Sequence, residues 1–583
     1  LEKKGRLKIE ERRVYRDSLG RAVSFESRPP VLSEEQAAAA ASLTAALNRR
    51  TFSPFVLYGV TGSGKTEVYL AAAAESLAQG RTVLILVPEI SLTPVLEGRL
   101  RARFGEEVGV LHSGLSDGER YDEWLKIKRR EVRLVLGARS AVFAPLEDLG
   151  LIVVDEEHDG AYKQDEGLRY NARDLAVYRA RQASALVILG SATPSLETFY
   201  AAKAGRYKLL RLPSRFGLGR LPRIDVVDMR LDTGRRRPVL TPIMKKALAD
   251  ALERKEQALL FINRRGTAGL AICMSCGQVV KCLNCSVTLT LHQSAVEPEA
   301  LAGPDKGRLN CHYCGFEIEP PRRCQACGTG RIIYLGIGTE RLEKEVQKAF
   351  PEARVGRLDA DTARPKGELT RILTRLRDQE LDVLVGTQMI TKGHHFPNIT
   401  LVGVIEADLG LHRPDFRAGE RTFQLLAQVS GRAGRGEAPG RVIVQTYTPE
   451  HYTLLLAEKH DYLGFFEEEL AQRLELDYPP FSRLALARFQ GNSEAQARDK
   501  AEESAVLGRQ LIESGRTPEV DLLGPAPAPL PKIKGKHRFQ ILIRAAKVQA
   551  LQRFLDQWLN RIQPRLKGQA VSVSIDVDPY QMM

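Results

Sequence analysis

Short apolar segments alternate with amphipathic ones along most of residues 26–222. Each segment is apolar at consecutive positions rather than at alternate ones, which is typical of parallel strands that are buried on both faces. The segments are 54–58, 82–87, 133–136, 151–154 and 186–189. Strands that alternate with helices in this way predict a parallel βαβ sheet, so we expect residues 26–222 to form one α/β lobe.

A second alternation of the same kind begins near residue 223. Its predicted strands are 257–262, 354–358, 383–385, 401–405 and 441–445. A cysteine-rich block, residues 273–328, interrupts the pattern after its first strand. We therefore expect residues 223–272 and 329–450 to form a second α/β lobe with an insertion. A chain of 583 residues is too long for one hydrophobic core, which agrees with several domains.

Residues 451–583 differ in pattern from both lobes. Acidic helical segments come first, and a Pro-rich stretch at 524–531 follows them. Because prolines favour turns and linkers, we interpret this stretch as a connector. The apolar runs 539–543 and 571–577 lie after it and predict a small α+β domain.

The composition of the chain indicates which class of partner it could bind. The chain carries a formal net charge of +14, and 43% of its residues are hydrophobic. The apolar fraction is ordinary for a globular protein, whereas the positive charge favours a polyanion such as nucleic acid without establishing it. No apolar run is long enough to span a bilayer and no signal peptide is visible, so we expect a cytoplasmic protein without a membrane partner.

A phosphate-binding loop is predicted at residues 59–66, which fit the pattern G-x-x-x-x-G-K-T between a strand and a helix. Its glycines would let backbone amides turn toward phosphate oxygens. Lys65 would add positive charge at the β- and γ-phosphates of ATP, and the Thr66 hydroxyl would be a ligand for Mg²⁺. The alternative is a Gly-rich surface turn. The predicted nucleotide contacts are Gly59, Thr61, Gly62, Ser63, Gly64, Lys65 and Thr66, with Gln36 and Gln428 from outside the loop.

An acidic box, Asp155, Glu156, Glu157 and His158, follows the apolar run at 151–154. The carboxyl ends of parallel strands are where α/β proteins place their sites. We expect Asp155 to hold the same Mg²⁺ and Glu156 to polarise the attacking water. An acidic strand end can also be a solvated turn, and His158 can be a packing residue rather than one that couples the site to movement.

Two further segments would complete a nucleotide-driven motor. The residues from Ser191 to Thr193 follow a strand of the first lobe and would link hydrolysis to movement of the lobes. Far along the chain, Arg432 and Arg435 are spaced by glycines, and we expect them to project from one face of a helix that begins near Thr422. The planar fork of an arginine suits the charge of a transferring phosphate, so Arg435 is the predicted arginine finger and Arg432 a second phosphate contact. A surface salt bridge is the alternative for this pair.

The eight cysteines of the chain form four Cys-x-x-Cys pairs inside the insertion. In a reducing compartment this clustering favours metal ligation over disulfides, and eight thiolates suffice for two tetrahedral zinc sites. Spacing alone does not decide which pairs share a metal, and a redox role is the alternative. The predicted ligands are Cys273, Cys276, Cys282, Cys285, Cys311, Cys314, Cys324 and Cys327.

In combination these motifs resemble one family. Residues 59–69, 155–159, 386–397 and 430–435, with an eight-cysteine insertion in the second lobe, resemble the primosomal protein N′ family of bacterial replication-restart helicases in superfamily 2. The resemblance implies an α/β fold with two RecA-like parallel-sheet helicase lobes, an inserted two-zinc module and a small α+β C-terminal domain. It implies an ATP- and Mg²⁺-dependent 3′-to-5′ DNA helicase that binds stalled or abandoned forks and initiates primosome assembly. The implied partners are forked and single-stranded DNA, single-stranded DNA-binding protein, and primosome or helicase-loading proteins.

The same resemblance assigns further residues. It implies that the outer cysteines, Cys273, Cys276, Cys324 and Cys327, share one zinc, and that the inner ones, Cys282, Cys285, Cys311 and Cys314, share the other. It also implies an aromatic-rich loop that senses DNA, formed by Tyr162, Lys163, Gln164 and Tyr170. Stacking of bases on tyrosine rings would suit such a loop, and simple packing of the tyrosines is the alternative.

The beginning of the chain departs from the family pattern. Residues 1–25 resemble only the end of the winged-helix domain that precedes the motor in this family, and the first residue is Leu1. We therefore expect an N-terminal part to be missing and a nascent 3′ end to be recognised poorly. Two other functions stay open: an RNA helicase, and a zinc-organised scaffold that uses a nucleotide as a switch without unwinding.

Overall fold

The computed structural model describes residues 31–88, 93–215, 221–231, 238–262, 269–284, 287–293, 307–359, 361–363, 367–387, 398–431, 440–515, 517, 519–567 and 570–582. They belong to two compact units, Leu1–Phe216 and Gly217–Met583, called unit 1 and unit 2 below. Within the described part of the chain, no helix is both long and apolar enough to cross a bilayer. The predicted winged-helix remnant at residues 1–25 lies outside the described residues.

Unit 1 contains a parallel sheet surrounded by helices. In chain order its elements are α1 (Glu34–Asn48), β1 (Ser53–Gly59), α2 (Lys65–Ala78), β2 (Thr82–Leu86), α3 (Thr93–Phe104), β3 (Val108–Leu111), α4 (Asp117–Lys128), β4 (Leu134–Gly137), β5 (Leu149–Asp155), β6 (Lys163–Gln164), β7 (Tyr170–Asn171), α5 (Ala172–Gln182), β8 (Leu186–Ser191), α6 (Leu196–Lys203) and β9 (Lys208–Leu212).

The sheet of unit 1 has seven strands in the order β3-β4-β2-β5-β8-β1-β9. The strands predicted from the apolar runs are confirmed as β1, β2, β4, β5 and β8. Side chains of α1, α2 and α3 pack on one face of the sheet, and those of α4 and α5 pack on the other. Central strands must therefore be apolar on both faces, which is why their sequences are continuous apolar runs. The edge strands β3 and β9 were not predicted.

Unit 2 begins with a second parallel sheet and the cysteine-bearing strands. The elements are β10 (Arg223–Asp228), α7 (Pro242–Glu253), β11 (Gln257–Ile262), β12 (Gly269–Cys273), β13 (Thr290–Gln293), β14 (Gly307–Asn310), β15 (Glu317–Ile318), β16 (Ile332–Leu335), α8 (Thr339–Ala349), β17 (Val355–Leu358), α9 (Glu368–Arg377), β18 (Val383–Gly386), β19 (Ile399–Ile405), α10 (Asp408–Leu411), α11 (Ala418–Ser430) and β20 (Arg441–Thr446).

The two sheets in this part of unit 2 differ in kind. The six-stranded sheet, in the order β10-β20-β19-β11-β18-β17, is parallel and contains all the strands predicted for the second lobe. The five-stranded sheet, in the order β15-β14-β13-β12-β16, is antiparallel and carries the cysteines; it is called the cysteine sheet below. Its strands β12 and β16 pair with each other, so the insertion leaves and returns at neighbouring positions.

The helix expected to carry the arginine pair begins earlier than predicted. It is α11, which begins at Ala418 rather than near Thr422 and ends at Ser430, with Gly431 as its C-cap. Gln428 therefore lies in the last turn of α11. Glycine is frequent where helices end, and the repeated glycines of this motif are poor helix formers. Arg432 and Arg435 lie outside the described residues.

The rest of unit 2 is the α+β domain that the sequence predicts, preceded by two helices. Its elements are α12 (Tyr452–Glu458), α13 (Tyr462–Glu475), β21 (Arg483–Gly491), α14 (Glu494–Glu513), β22 (Val520–Ile533), β23 (Lys536–Ala545), α15 (Val548–Leu566) and β24 (Val571–Val577). The strands form an antiparallel sheet in the order β22-β23-β21-β24. Helices α14 and α15 pack on it around the fully buried Trp558.

The interpretation of residues 524–531 as a connector was wrong, because they lie inside strand β22. β22 is an edge strand that pairs with β23 on one side. A proline lacks the N–H that a central strand needs on both sides, but an edge strand tolerates it on its outer side. The register also shifts between Leu523 and Ala526 and between Pro527 and Lys532, so pairing is interrupted at Pro525, Pro529 and Pro531, whereas Pro527 stays opposite Phe539.

Candidate nucleotide site and cysteine centres

The predicted phosphate loop joins β1 to α2 in unit 1. Gly62 and Gly64 have φ values of +83° and +78°, a left-handed conformation that glycine adopts without strain. A side chain at Gly64 would also place its Cβ 2.3 Å from Nε2 of Gln36. Helix α2 begins at Lys65, directly after the loop, so its free backbone N–H groups lie where anions bind to helix N-termini.

Lys65 is almost fully buried beside its own loop. Its Nζ donates a hydrogen bond to the carbonyl oxygen of Gly59 at 3.0 Å, and the ammonium group attracts the carboxylate of Asp155. Thr66 lies in the first turn of the same helix, and Ser63 is buried within the loop. The residues predicted to surround phosphate and Mg²⁺ in this loop therefore form one compact turn.

Gln36 reaches the loop from helix α1. Its Oε1 accepts a hydrogen bond from the backbone N–H of Ser33 at 3.0 Å, which completes a capping box, and its Nε2 donates to the carbonyl oxygen of Ser63 at 2.8 Å. The structure thus brings together two predicted nucleotide contacts that are far apart in sequence. Gln428, by contrast, lies on α11 in unit 2.

Arg215 also contacts the loop, and sequence reasoning missed it. Its Nε donates to the carbonyl oxygen of Thr61 at 3.0 Å, and a Cβ on Gly62 would lie 3.3 Å from that nitrogen. The preceding Ser214 donates its hydroxyl to Glu35 of α1 at 2.7 Å. The segment after β9 therefore contacts both the phosphate loop and helix α1. No motif marks an arginine at this position, so no sequence signal could have identified it.

Asp155 ends strand β5, and the surrounding side chains fix it. The hydroxyl of Tyr69, on α2, donates to Oδ1 of Asp155 at 3.1 Å. Gly190 makes room for this tyrosine, because a Cβ at that position would overlap its hydroxyl. Burial, reinforced by the negative charge of Glu156, raises the pKa of Asp155 to about 6, whereas Lys65 acts in the opposite direction. A cation here, such as the predicted Mg²⁺, would offset both destabilising effects.

The rest of the acidic box connects to the end of strand β8. His158 Nδ1 lies 2.7 Å from the Ser191 hydroxyl oxygen and 3.6 Å from Oε2 of Glu156. The Ser191 oxygen accepts a further hydrogen bond from the N–H of Thr193 at 2.9 Å. A path of direct contacts thus joins Glu156 to the segment that was predicted to couple hydrolysis with movement.

Tyr162 does not have the exposure that base stacking requires. Only 1% of it is accessible, and its hydroxyl donates to the carbonyl oxygens of Asp155 at 2.6 Å and Leu86 at 3.0 Å. The packing alternative therefore holds for this tyrosine. Tyr170 lies in the short hairpin β6–β7, partly exposed, with its ring edge-on to Phe143 at 5.0 Å.

The first cysteine group has the geometry of a tetrahedral thiolate site. The sulfur atoms of Cys273, Cys276, Cys324 and Cys327 all lie within 4.8 Å of one another. Cys273 and Cys327 are 3.8 Å apart, and Cys276 and Cys324 are 3.7 Å apart. Four sulfurs at about 2.3 Å from a zinc ion would be separated by about 3.8 Å, whereas a disulfide would need about 2.05 Å. The residues fit zinc and exclude disulfides in this arrangement.

The second group follows the same geometry as far as it is described. The sulfurs of Cys282, Cys311 and Cys314 lie within 4.8 Å of one another, and those of Cys282 and Cys314 are 3.6 Å apart. The fourth predicted ligand, Cys285, lies outside the described residues. Backbone amides also donate to the sulfurs, for example from Asn284 to Cys282 at 3.4 Å. Such donors stabilise negative charge on sulfur, as a metal-bound thiolate requires.

Each described Cys-x-x-Cys turn is closed in the same way. A glycine follows the second cysteine, its N–H donates to the carbonyl oxygen of the first cysteine, and its φ is positive. These glycines are Gly277 (φ +73°), Gly315 (φ +80°) and Gly328 (φ +71°). The repeated turn points both sulfurs of a pair to the same side. The chain itself therefore preorganises the two cysteine groups for a metal.

Three family models match the chain. The DEAD/DEAH box helicase model matches residues 34–201, the helicase conserved C-terminal domain model matches residues 325–437, and the primosomal protein N C-terminal domain model matches residues 474–580. The first match contains the phosphate loop and the acidic box, and the second contains α11. The third covers the four-stranded sheet with α14 and α15.

Curated relatives match over nearly the whole chain. The replication restart protein PriA of Bacillus subtilis is 44% identical, and the match covers 100% of this chain and 70% of the relative. PriA of Synechocystis is 40% identical, with 100% and 68% covered, and PriA of Treponema pallidum is 40% identical, with 95% and 80% covered. The phosphate loop joined to an acidic box, the cysteine groups and these matches agree. The chain therefore belongs to the family of the replication restart protein PriA and is an ATP-dependent helicase.

Proposed function

We propose that this protein is a 3′-to-5′ DNA helicase that acts on stalled or abandoned replication forks and initiates primosome assembly. The observation that carries the proposal is the chain of contacts in unit 1 from the phosphate loop to the end of β8. Lys65 attracts Asp155, Glu156 lies near His158, and His158 contacts Ser191. A helicase needs such a connection, because hydrolysis must be transmitted to the segments that move along a strand.

Each predicted site residue has a distinct role in this proposal. Bound ATP with Mg²⁺ would supply the phosphoanhydride bond and the cation that neutralises its charge. Lys65 and the amides of the loop hold the phosphates, and Thr66 and Asp155 offer oxygen ligands. Glu156 orients the attacking water and accepts its proton. Arg432 and Arg435 are proposed to contact the phosphates at the moment of transfer, and Gln36 and Gln428 to contribute to nucleotide binding.

We further propose that the two cysteine groups each hold a structural Zn²⁺, with the outer four cysteines on one ion and the inner four on the other. The sulfur separations of 3.6 to 3.8 Å support this pairing. The net charge of +14 supports a nucleic-acid partner. Single-stranded DNA-binding protein and helicase-loading proteins are proposed partners on the basis of family membership.

Unwinding of a forked duplex tests the proposal directly. The wild-type chain should separate strands of forked DNA with ATP and Mg²⁺, and single-stranded DNA should stimulate turnover more than RNA does. Lys65→Ala should lower turnover to background, since it removes the charge that holds the transferring phosphate, while far-UV circular dichroism stays unchanged. Stimulation by RNA alone would favour an RNA helicase. ATP binding without any strand separation would favour a nucleotide-switched scaffold.

A polarity assay tests the finer claim. A duplex with a 3′ single-stranded tail should be unwound and one with a 5′ tail should not. Equal unwinding of both tailed duplexes would contradict the proposed direction.

A further inference from the structure

Glu157 is a buried carboxylate of the acidic box, and the proposed mechanism of ATP hydrolysis gives it no role so far. Its side chain is 1% exposed and accepts hydrogen bonds from four donors. Oε1 accepts from the N–H of Ser195 at 2.6 Å. Oε2 accepts from the Ser195 hydroxyl at 3.1 Å, the Thr198 hydroxyl at 2.9 Å and Arg173 Nη1 at 3.2 Å. A buried carboxylate is costly unless it is paired, so a set of donors this complete indicates a defined position.

The backbone next to Glu157 is held in an unusual conformation. Glu156 has φ +45°, in the left-handed region that a residue with a Cβ rarely adopts. Such a conformation persists only where the surroundings impose it, and it occurs preferentially at functional sites. Two backbone hydrogen bonds flank it: the N–H of Glu157 donates to Gly190 at 3.0 Å, and the N–H of Asp159 donates to Glu156 at 2.8 Å.

The donors to Glu157 come from two helices that begin at the same edge of the sheet. Ser195 caps α6, shortly after the Ser191–Thr193 segment, and its hydroxyl accepts from the N–H of Thr198. Arg173 lies in the first turn of α5, directly after the hairpin β6–β7. The side chain of Glu157 therefore connects the acidic box to the first turns of α5 and α6. Its backbone N–H bonds to Gly190 at the end of β8.

We propose that Glu157 is a positioning residue for ATP hydrolysis, and that its hydrogen bonds to Ser195, Thr198 and Arg173 hold Glu156 in the left-handed conformation that aims its carboxylate at the attacking water. This inference rests on the role proposed above for Glu156. Glu157 itself does not contact substrate. It acts through the backbone of its neighbour, in the way that outer hydrogen bonds orient the ligands of a metal site.

Glu157→Gln tests the inference with little change in shape. All four partners are donors, and an ionised carboxylate only accepts, whereas an amide presents an NH₂ group to at least one of them. We expect kcat for DNA-stimulated ATP hydrolysis to fall by about 10- to 100-fold, the usual effect of removing an outer orienting group, with KM for ATP unchanged. Ser195→Ala removes one hydroxyl donor and should give a smaller fall of the same kind.

Glu123→Gln is the matched control. Glu123 is also a buried carboxylate in unit 1, 2% exposed, and it accepts from the N–H of Val110 at 3.2 Å and from Lys126 Nζ at 2.7 Å. Its replacement should lower the melting temperature to a similar extent but leave kcat at the wild-type value. A kcat loss confined to Glu157→Gln then separates positioning from general destabilisation.

Glu156→Gln distinguishes failure of the positioning role of Glu157 from failure of the proposed catalytic role of Glu156. If it abolishes turnover while a folded Glu157→Gln keeps wild-type kcat, the positioning role is overturned and the proposed function stands. If Glu156→Gln itself turns over ATP normally, the proposed catalytic carboxylate is wrong. Should Glu157→Gln not fold, Ser195→Ala decides alone: a lower kcat at unchanged KM supports the inference, and wild-type kcat overturns it.

Discussion

Strand β5 of unit 1 runs for seven residues, six of them buried, whereas strands of the cysteine sheet in unit 2 run for two to five residues. The first sheet has apolar cores on both faces, built from its own helices. The core at the cysteine sheet includes four of the cysteines themselves and borrows Tyr478, Leu484, Leu542 and Met582 from the C-terminal region. Apolar contacts from its own helices cover both faces of the first sheet, whereas the short strands of the cysteine sheet are expected to depend on the proposed metal as well.

The cysteine sheet is also bonded to the C-terminal sheet. His312, between two cysteines, contacts the carbonyl oxygen of Pro527 at 3.0 Å through Nδ1, and its own carbonyl accepts from Gln540 Nε2 at 2.9 Å. These contacts join a cysteine turn to strands β22 and β23. Loss of order in the cysteine groups should therefore extend into the C-terminal sheet.

Removal of the proposed metal should affect the two sheets most differently. Each proposed structural zinc would supply about 10–16 kcal/mol of apparent free energy, more than we expect the short strands of the cysteine sheet to replace. Hydrogen-exchange mass spectrometry after complete chelation should show lost protection in strands β12 to β16 and partial loss in β22 and β23, with β5 unchanged. Added Zn²⁺ should restore it. Unchanged exchange in the cysteine sheet would mean that its apolar contacts are sufficient.

Truncation of a core side chain in unit 1 should have the opposite effect: unit 1 should lose stability and the cysteine sheet should not. Leu151 is fully buried in β5, and Leu151→Ala should destabilise unit 1 by about 2–5 kcal/mol because a cavity replaces its side chain. Urea unfolding followed by exchange should localise the loss to unit 1 and leave zinc content at the wild-type level. Leu168→Ala is the control, since Leu168 is 73% exposed and its loss should change stability by less than about 0.5 kcal/mol. Zinc loss in Leu151→Ala would contradict the independence of the two regions.

The last prediction concerns the effect of pH on stability through Asp155, the carboxylate at the end of β5. The fold raises the pKa of Asp155 from 3.8 to about 6. Ionisation is thus less favourable in the folded than in the unfolded chain, and this group's contribution to stability falls as the pH rises from about 4 to about 6. Asp155→Asn cannot ionise, so without nucleotide and Mg²⁺ it should raise Tm at pH 7.5, by about 2–4 °C for each kcal/mol by which ionisation destabilises the folded chain.

Scanning fluorimetry at two pH values checks this sign. The gain of Asp155→Asn should disappear at pH 4, where the wild-type carboxyl group is protonated, and ATP turnover should be lost at every pH. A lower Tm at pH 7.5 would mean that the carboxylate stabilises the empty site. A higher Tm for Asp155→Asn would show that unit 1 is destabilised at its candidate site, although its core is well packed.

The central strands were predictable because burial on both faces forces continuous apolar sequence. Some edge strands were not: β9 places exposed Lys208 and Arg211 among its leucines, and β22 contains the prolines that suggested a connector. An edge strand is unpaired on one side, so its sequence can include charged residues and prolines that a central strand excludes. The same limit applied to Tyr162, whose sequence neighbours suggested DNA contact but whose hydroxyl is held by Asp155 and Leu86.

The amino-acid sequence alone specifies the chemistry of the chain: a phosphate loop, an acidic strand end, an arginine motif and eight thiols in four pairs, because each needs particular residue types at a fixed local spacing. Which distant groups meet depends on the tertiary structure. Gln36 and Arg215 contact the phosphate loop and four donors converge on Glu157. Such contacts depend on how strands and helices pack, and packing leaves no signature in the local order of residues.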